Sequence, residues 1–317
     1  MDVISRLDRI GLLPRVRLVR PEDTAPLCQA LKNGGIPALE LDFGAGASEA
    51  ALKLAREAAP DMLLGAGQVT SCQEADRAMA AGAAFIHCAG TEPGLLRHCI
   101  QNGYPVIPSC ANPDGVASAL NLGLKTVFVS QAMDSLPKLE ALAAAHPAAR
   151  FIPANGTQQS LAAYAACPQV AACCVDWVVP EDAAAAQDWG RIEALAFSAV
   201  QAMLGLRIAH IGINNADEET AWREARKLSA LLGWPIIRDN PLSLFVSTKI
   251  EMMKTWYRGT HGHIAVATQN VERARWHLEQ RGFSFDDTSI RMTEDGRLKF
   301  IYIQEEIAGF AIHLLLE

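Results

Sequence analysis

Between about residues 14 and 180 the chain repeats one pattern: a short β-branched run, then an Ala/Leu/Glu-rich amphipathic stretch, renewed roughly every 22 residues. That rhythm is the sequence form of βα units. Eight runs fit it, beginning near Pro14, Ile36, Met62, Ala84, Tyr104, Lys125, Arg150 and Ala172. Several follow a glycine that stops the preceding helix, as in Asn33-Gly-Gly, Ala81-Gly, Asn102-Gly and Asn121-Leu-Gly. Eight units predict an α/β fold, a (β/α)8 barrel with its active site at the carboxyl ends of the strands. A doubly wound open sheet is the competing arrangement, but no G-x-G-x-x-G follows the first strand.

Past about residue 205 the rhythm changes. Ala209-His210-Ile-Gly-Ile-Asn214 precedes a helical stretch from Ala216 to Leu232 and three candidate strands ending at Lys249-Ile-Glu251-Met-Met-Lys. Gly262-His263-Ile-Ala-Val-Ala267 then precedes Val271 to Arg281 and three more, ending at Phe310-Ala-Ile-His313-Leu-Leu-Leu. This is an internal βαβββ repeat. The expected organisation is therefore a barrel over residues 1–205 and an α+β domain of two modules over residues 206–317.

The chain has 317 residues, half of them apolar, with 28 basic against 35 acidic side chains. A net charge of −7 with no run of like charge argues against nucleic acid and against an anionic membrane as partner, leaving a small-molecule ligand. The first residues lack a basic segment followed by an apolar one, and no apolar run reaches the ~18 residues of a membrane span, so a cytoplasmic protein is expected. The 8 cysteines include no paired C-x-x-C motifs and read as reduced, packed thiols.

Glu40 closes the second predicted strand, where a side chain can point into a barrel mouth, and one of Arg15 and Arg17 must find an anion if it faces inward. The segments Asn33-Gly-Gly-Ile-Pro-Ala-Leu-Glu40, Gly65-Ala-Gly-Gln68-Val, Ala84-Phe-Ile-His87-Cys88-Ala-Gly90, Pro105-Val-Ile-Pro108 and Arg150-Phe-Ile-Pro-Ala-Asn155-Gly156 fall in one order and spacing. Together with Gly123-Leu-Lys-Thr-Val-Phe128-Val-Ser130 they resemble the 2-keto-3-deoxy-6-phosphogluconate / 4-hydroxy-2-oxoglutarate (KDPG/KHG) aldolases. The resemblance implies a TIM barrel of class I aldolase type, an aldehyde-lyase acting on 2-oxo acids, and a homotrimer. It makes Glu40 the acid/base residue, favours Arg17 over Arg15 for the pocket, and puts Phe128 where the family carries its Schiff-base lysine.

A Schiff-base aldolase needs an amine of lowered pKa at the barrel centre. Lys32, Lys53 and Lys138 lie on predicted helices, and Lys125 opens the sixth strand at the wrong end and with the wrong parity for that task. Other family positions differ as well. The carboxylate-clamping arginine falls on Gly44, the threonine of Gly-Ala-Gly-Thr on Gln68, and the Lys-Phe-Phe-Pro run reads Phe128-Val-Ser130-Gln131. The phosphate loop reads Ala154-Asn155-Gly156, and its Gly-Gly-Ser partner reads Cys174-Val175-Asp176, where a carboxylate repels a dianion. Expected from these changes is a pocket of Arg17, Glu40, Gln68, His87, Cys110, Phe128, Ser130, Asn155 and Asp176, with no cofactor in the barrel and the aldolase reaction lost. Asp42, Cys88 and Asn112 also fall near strand ends; Cys88 and Cys110 have no base except His87, which predicts packed thiols.

The repeated module resembles the vicinal-oxygen-chelate, or glyoxalase-like, superfamily, most distinctively in Gly262-His-Ile-Ala265. Its catalytic members hold a divalent metal on the first and last strands of each module, which here implies His210, Glu251, His263 and His313, with His261 in reserve. Three imidazoles and a carboxylate suit zinc, iron, nickel or manganese. Three functions are therefore in competition: a diverged aldolase-type lyase, a non-catalytic binder of a 2-oxo or sugar acid, and a metal-dependent isomerase, lyase or dioxygenase acting through the last third.

Overall fold

The computed structural model describes residues 2–17, 20–43, 48–130, 133 and 135–317. The chain divides into two compact units, Met1–Met203 and Leu204–Glu317. No helix among the described residues is long and apolar enough to cross a membrane.

The first unit carries strands β1 (Leu12–Leu13), β2 (Arg15–Val16), β3 (Ala38–Asp42), β4 (Leu63–Val69), β5 (Phe85–Cys88), β6 (Val106–Cys110), β7 (Thr126–Val129), β8 (Arg150–Pro153) and β9 (Cys173–Cys174). From β2 to β8 they pair in chain order, every pair parallel. Beyond β8 the Phe151 carbonyl accepts from the Ala171 N–H at 3.0 Å, and β9 pairs in parallel with β1. Hydrogen bonding thus returns to the start of the chain, and the sheet is barrel-like. Helices cover its outer side and the strands' own side chains fill its inside, so both faces are buried and the strands read as near-continuous apolar runs.

Pro14 splits the first strand. It has no N–H to donate, so only its carbonyl joins the ladder, accepting from the Glu40 N–H at 2.9 Å. Three helices that follow strands begin on the same device, a side-chain oxygen taking an orphan N–H. Ser71 caps Cys72–Ala80, Glu92 caps Pro93–Gln101 and Asn112 caps Pro113–Asn121. The last two helices start on proline, whose missing N–H costs nothing there.

In the second unit β10 (Arg207–Ile213) is followed by a helix, Glu218–Leu232, and by β11 (Ile236–Asp239), β12 (Ser243–Val246) and β13 (Ile250–Met253). The order recurs in β14 (Gly262–Thr268), a helix over Val271–Gln280, β15 (Phe285–Met292), β16 (Leu298–Ile307) and β17 (Phe310–Leu316). One sheet holds all eight in the order β11-β12-β13-β10-β14-β17-β16-β15. In each half the strand before the helix lies parallel to the last strand, β10 with β13 and β14 with β17, while β10 and β14 meet antiparallel at the centre. Both helices are capped alike, Asp217 accepting from the Thr220 N–H and Asn270 from the Arg273 N–H.

Candidate functional site

The centre of the first unit holds a buried polar chain. Glu40 is 2% exposed, and its Oε1 lies 2.8 Å from His87 Nδ1; on the far side of the ring His87 Nε2 lies 2.8 Å from Ser109 Oγ. Strand alternation brings the three together, since Glu40 on β3, His87 on β5 and Ser109 on β6 fall on the same face of the sheet. The Phe128 ring from β7 stacks on the imidazole with centroids 3.7 Å apart and planes 26° from parallel. Gly67 on β4 is required beside Glu40, because a β-carbon there would overlap the carboxylate. Glu40 Oε2 is buried and has no partner, which costs about 1–3 kcal/mol in a protein interior.

Glu40 also faces a cavity of about 530 Å³, which Arg15, Arg17, Asp42, Gln68 and Asp176 line together with residues near Pro180. Of the two arginines it is Arg15 that meets a carboxylate. Its Nη2 lies 2.7 Å and its Nε 3.1 Å from the two oxygens of Asp176, whereas Arg17 is exposed. The Asp176 charge is thereby matched by a guanidinium fork. Gln68 sits at φ 56°, where the β4–β5 register slips, a left-handed turn that swings its side chain to the cavity.

The remaining expected pocket residues do not line that cavity. His87 and Phe128 are packed beneath its floor, at 0% and 1% exposure. Cys110 is buried with its thiol pushed up to about 12 by burial, and Asn155 is exposed. Ser130 has a buried hydroxyl with no partner. Asn112 is occupied as a helix cap. Gly44 and Gln131 lie outside the described residues. The four lysines are all far from the centre by environment: Lys32 pairs with Asp61, Lys53 pairs with Glu49, and Lys125 and Lys138 are exposed.

A second constellation forms in the other unit, where His210, His263 and His313 each offer a ring nitrogen within 4.8 Å of the others. His210 Nε2 and His263 Nε2 are 3.2 Å apart, and Glu251 Oε2 lies 3.2 Å from the first and 3.0 Å from the second. Ser243 donates to the other Glu251 oxygen at 2.6 Å. Burial alone would raise the Glu251 carboxyl, but its bonds to His210, His263 and Ser243 outweigh that and hold it well below the usual carboxylate range. Burial, then the neighbouring His263 and His210, push His313 down to about 3, so its imidazole is neutral at pH 7. The register opposes Gly212 to His263, and a β-carbon at Gly212 would occupy the space of the ring. His261 stays apart, exposed and against Phe310.

These donors fit a metal ion. Three imidazoles and a carboxylate converge on one point, and nitrogen and oxygen donors of this kind are the ligand set of a divalent cation. The buried Nδ1 atoms of His263 and His313 have no protein partner.

A curled parallel sheet with a carboxylate at the mouth defines the first unit as an α/β barrel-like fold of the aldolase type. The family described as "Aldolase: KDPG and KHG aldolase" matches residues 3–195, and the chain belongs to that family. A 2-dehydro-3-deoxy-phosphogluconate aldolase of Treponema pallidum is 36% identical over 204 residues, covering 63% of this chain and 97% of its own. Among solved structures, a 4-hydroxy-2-oxoglutarate aldolase/2-deydro-3-deoxyphosphogluconate aldolase "from TTHB1" is 30% identical with a TM-score of 0.58, covering 64% of this chain and 99% of its own. The KDPG aldolase of Legionella pneumophila, solved with pyruvate captured as a covalent carbinolamine, is 27% identical at the same TM-score, covering 62% and 97%.

Sequence reasoning missed two side chains that the structure places in these sites, Ser109 and Ser243, and favoured Arg17 over Arg15, the arginine that meets Asp176. Ser109 is a lone hydroxyl in a strand of small and apolar residues, with no periodicity to mark it. The Arg15–Asp176 pairing spans 161 positions and leaves no local trace.

Proposed function

We propose that this protein acts as a metal-dependent enzyme on a small oxygen-rich molecule through its second unit, and that its barrel no longer forms a Schiff base. The observation that carries the first half is the meeting of His210, His263 and His313 within 4.8 Å, with Glu251 bonded to two of them. On this reading the unit is glyoxalase-like, and the four side chains hold zinc, iron, nickel or manganese. Such an ion supplies Lewis acidity toward a substrate offering two oxygens. Ser243 fixes the Glu251 carboxylate, and Phe300 and Tyr302, with ring centroids 4.3 and 5.1 Å from that of His313, wall one side of the cluster. The second half is supported by Phe128, a buried ring in place of the family's amine, and by the surface positions of the four barrel lysines.

Elemental analysis of the purified full chain tests the metal. About one ion per chain is expected, lost in His263→Ala; failure to bind any of the four metals on reconstitution overturns the reading. Borohydride reduction in the presence of pyruvate tests the barrel. The intact mass is expected to stay unchanged, and a pyruvyl adduct on any of the four lysines would refute the loss of imine chemistry.

A further inference from the structure

We infer that Ser109 is the nucleophile of an acyl-transfer site in the barrel, activated by His87 and oriented through Glu40, and that its substrate is a small activated ester or thioester. Three contacts at hydrogen-bond or stacking distance define the site. His87 Nδ1 meets Glu40 Oε1 at 2.8 Å, His87 Nε2 meets Ser109 Oγ at 2.8 Å, and Phe128 stacks on the ring at 3.7 Å. With the Nδ1–H donating to the Glu40 carboxyl oxygen, the Nε2 lone pair faces Ser109. Ser109 must then donate its proton to Nε2. That is the polarity a serine nucleophile requires, with a base in contact and the base held in one tautomer by a third group.

The burial gradient follows the same sense. Glu40 and His87 are 2% and 0% exposed, whereas Ser109 is partly exposed near the carboxyl end of β6, the end at which barrels of this type carry their chemistry. The neighbouring strand adds a hydroxyl. Ser109 is register partner to Phe128, and Ser130, two residues further, lies on the same face by strand alternation with its Oγ buried and unpartnered. A free donor on the same face can receive the charge that develops on a carbonyl oxygen. A purely stabilising network would be expected to satisfy its members, yet Glu40 Oε2 and Ser130 Oγ are both left open.

In the first step Ser109 Oγ bonds to the acyl carbon as its proton passes to His87 Nε2. The carbon–oxygen or carbon–sulfur bond to the leaving group then breaks, and the departing alcohol or thiol takes that proton. Water attacks the acyl-serine with His87 again accepting the proton, and the carboxylic acid leaves with Ser109 restored. Water is the only co-reactant. Phe128 keeps the imidazole plane fixed throughout, so the ring that replaced the family's amine serves the base.

The test uses the full-length protein with p-nitrophenyl acetate and, separately, phenylmethylsulfonyl fluoride, read by intact mass and peptide mapping. A single adduct on Ser109 is expected. It should vanish in Ser109→Ala and form at least a hundredfold more slowly in His87→Gln. Glu40→Gln should slow labelling, because the imidazole loses the carboxylate that orients it. Chelator treatment should leave labelling unchanged, which separates this site from hydrolysis at the metal cluster. No adduct on Ser109, equal labelling in Ser109→Ala, or a rate indifferent to His87→Gln overturns the inference; Ser109→Ala changes one oxygen and keeps the test valid should the other variants misfold.

Discussion

At the scale of single residues, the proposed metal site rests on a hydroxyl that the motif does not contain. Ser243 bonds the Glu251 oxygen that faces away from His210 and His263, and so sets which lone pairs of the carboxylate point inward. Outer groups of this kind are worth about 10- to 100-fold in metal affinity. Ser243→Ala is expected to weaken zinc binding by that order in a chelator-competition titration while leaving the far-ultraviolet circular dichroism unchanged. Of the residues in question, His210, Glu251, His263 and His313 were legible because they fall at corresponding points of a repeated pattern. Ser109 was not legible. A lone serine in a strand carries no periodicity, and only the register of β5 against β6 and β7 gives it a partner.

Elements were read well from the sequence where hydrophobic runs were bounded by glycine, and poorly where one residue interrupted a strand. The starts of β3 to β8 lie within two residues of their expected positions, since a helix-stopping glycine or proline marks each approach. The first strand is broken because Pro14 withholds a donor, and β9 is reduced to two residues. The turn at Gln68 was also invisible. Its left-handed φ of 56° belongs to a register slip between neighbouring strands, not to a local motif. On β4 a methyl added at Gly67 must displace the Glu40 carboxylate or its own strand, so Gly67→Ala should destabilise the barrel by about 1–3 kcal/mol in urea denaturation. Arg15→Ala removes the fork onto Asp176, a partly exposed pair with side chains 23% and 48% accessible; the expected loss is only about 1 kcal/mol or less.

For the molecule as a whole, the division at Met203 and Leu204 separates two sets of chemical groups. A ligand stabilises whatever part of a chain must be folded to bind it, by an amount set by its concentration relative to Kd. The proposed cation is contacted only by β10, β13, β14 and β17. In scanning calorimetry its removal should therefore lower one thermal transition by several degrees and leave another where it was; a uniform shift of the entire profile would contradict separate folding of the two units. The boundary was legible as a change of rhythm, because one helix per strand and one helix per four strands build different sheets.

Two of the positions on which these sites depend carry no side chain. Gly67 makes room for a carboxylate and Gly212 for an imidazole, and neither takes part in any chemistry. In a saturation library scored for function, both should behave as nearly intolerant positions with no polar neighbour altered in sequence. Loss of either proposed activity in a lineage can thus begin silently, with one extra carbon at a place where inspection of the reactive residues would report everything intact.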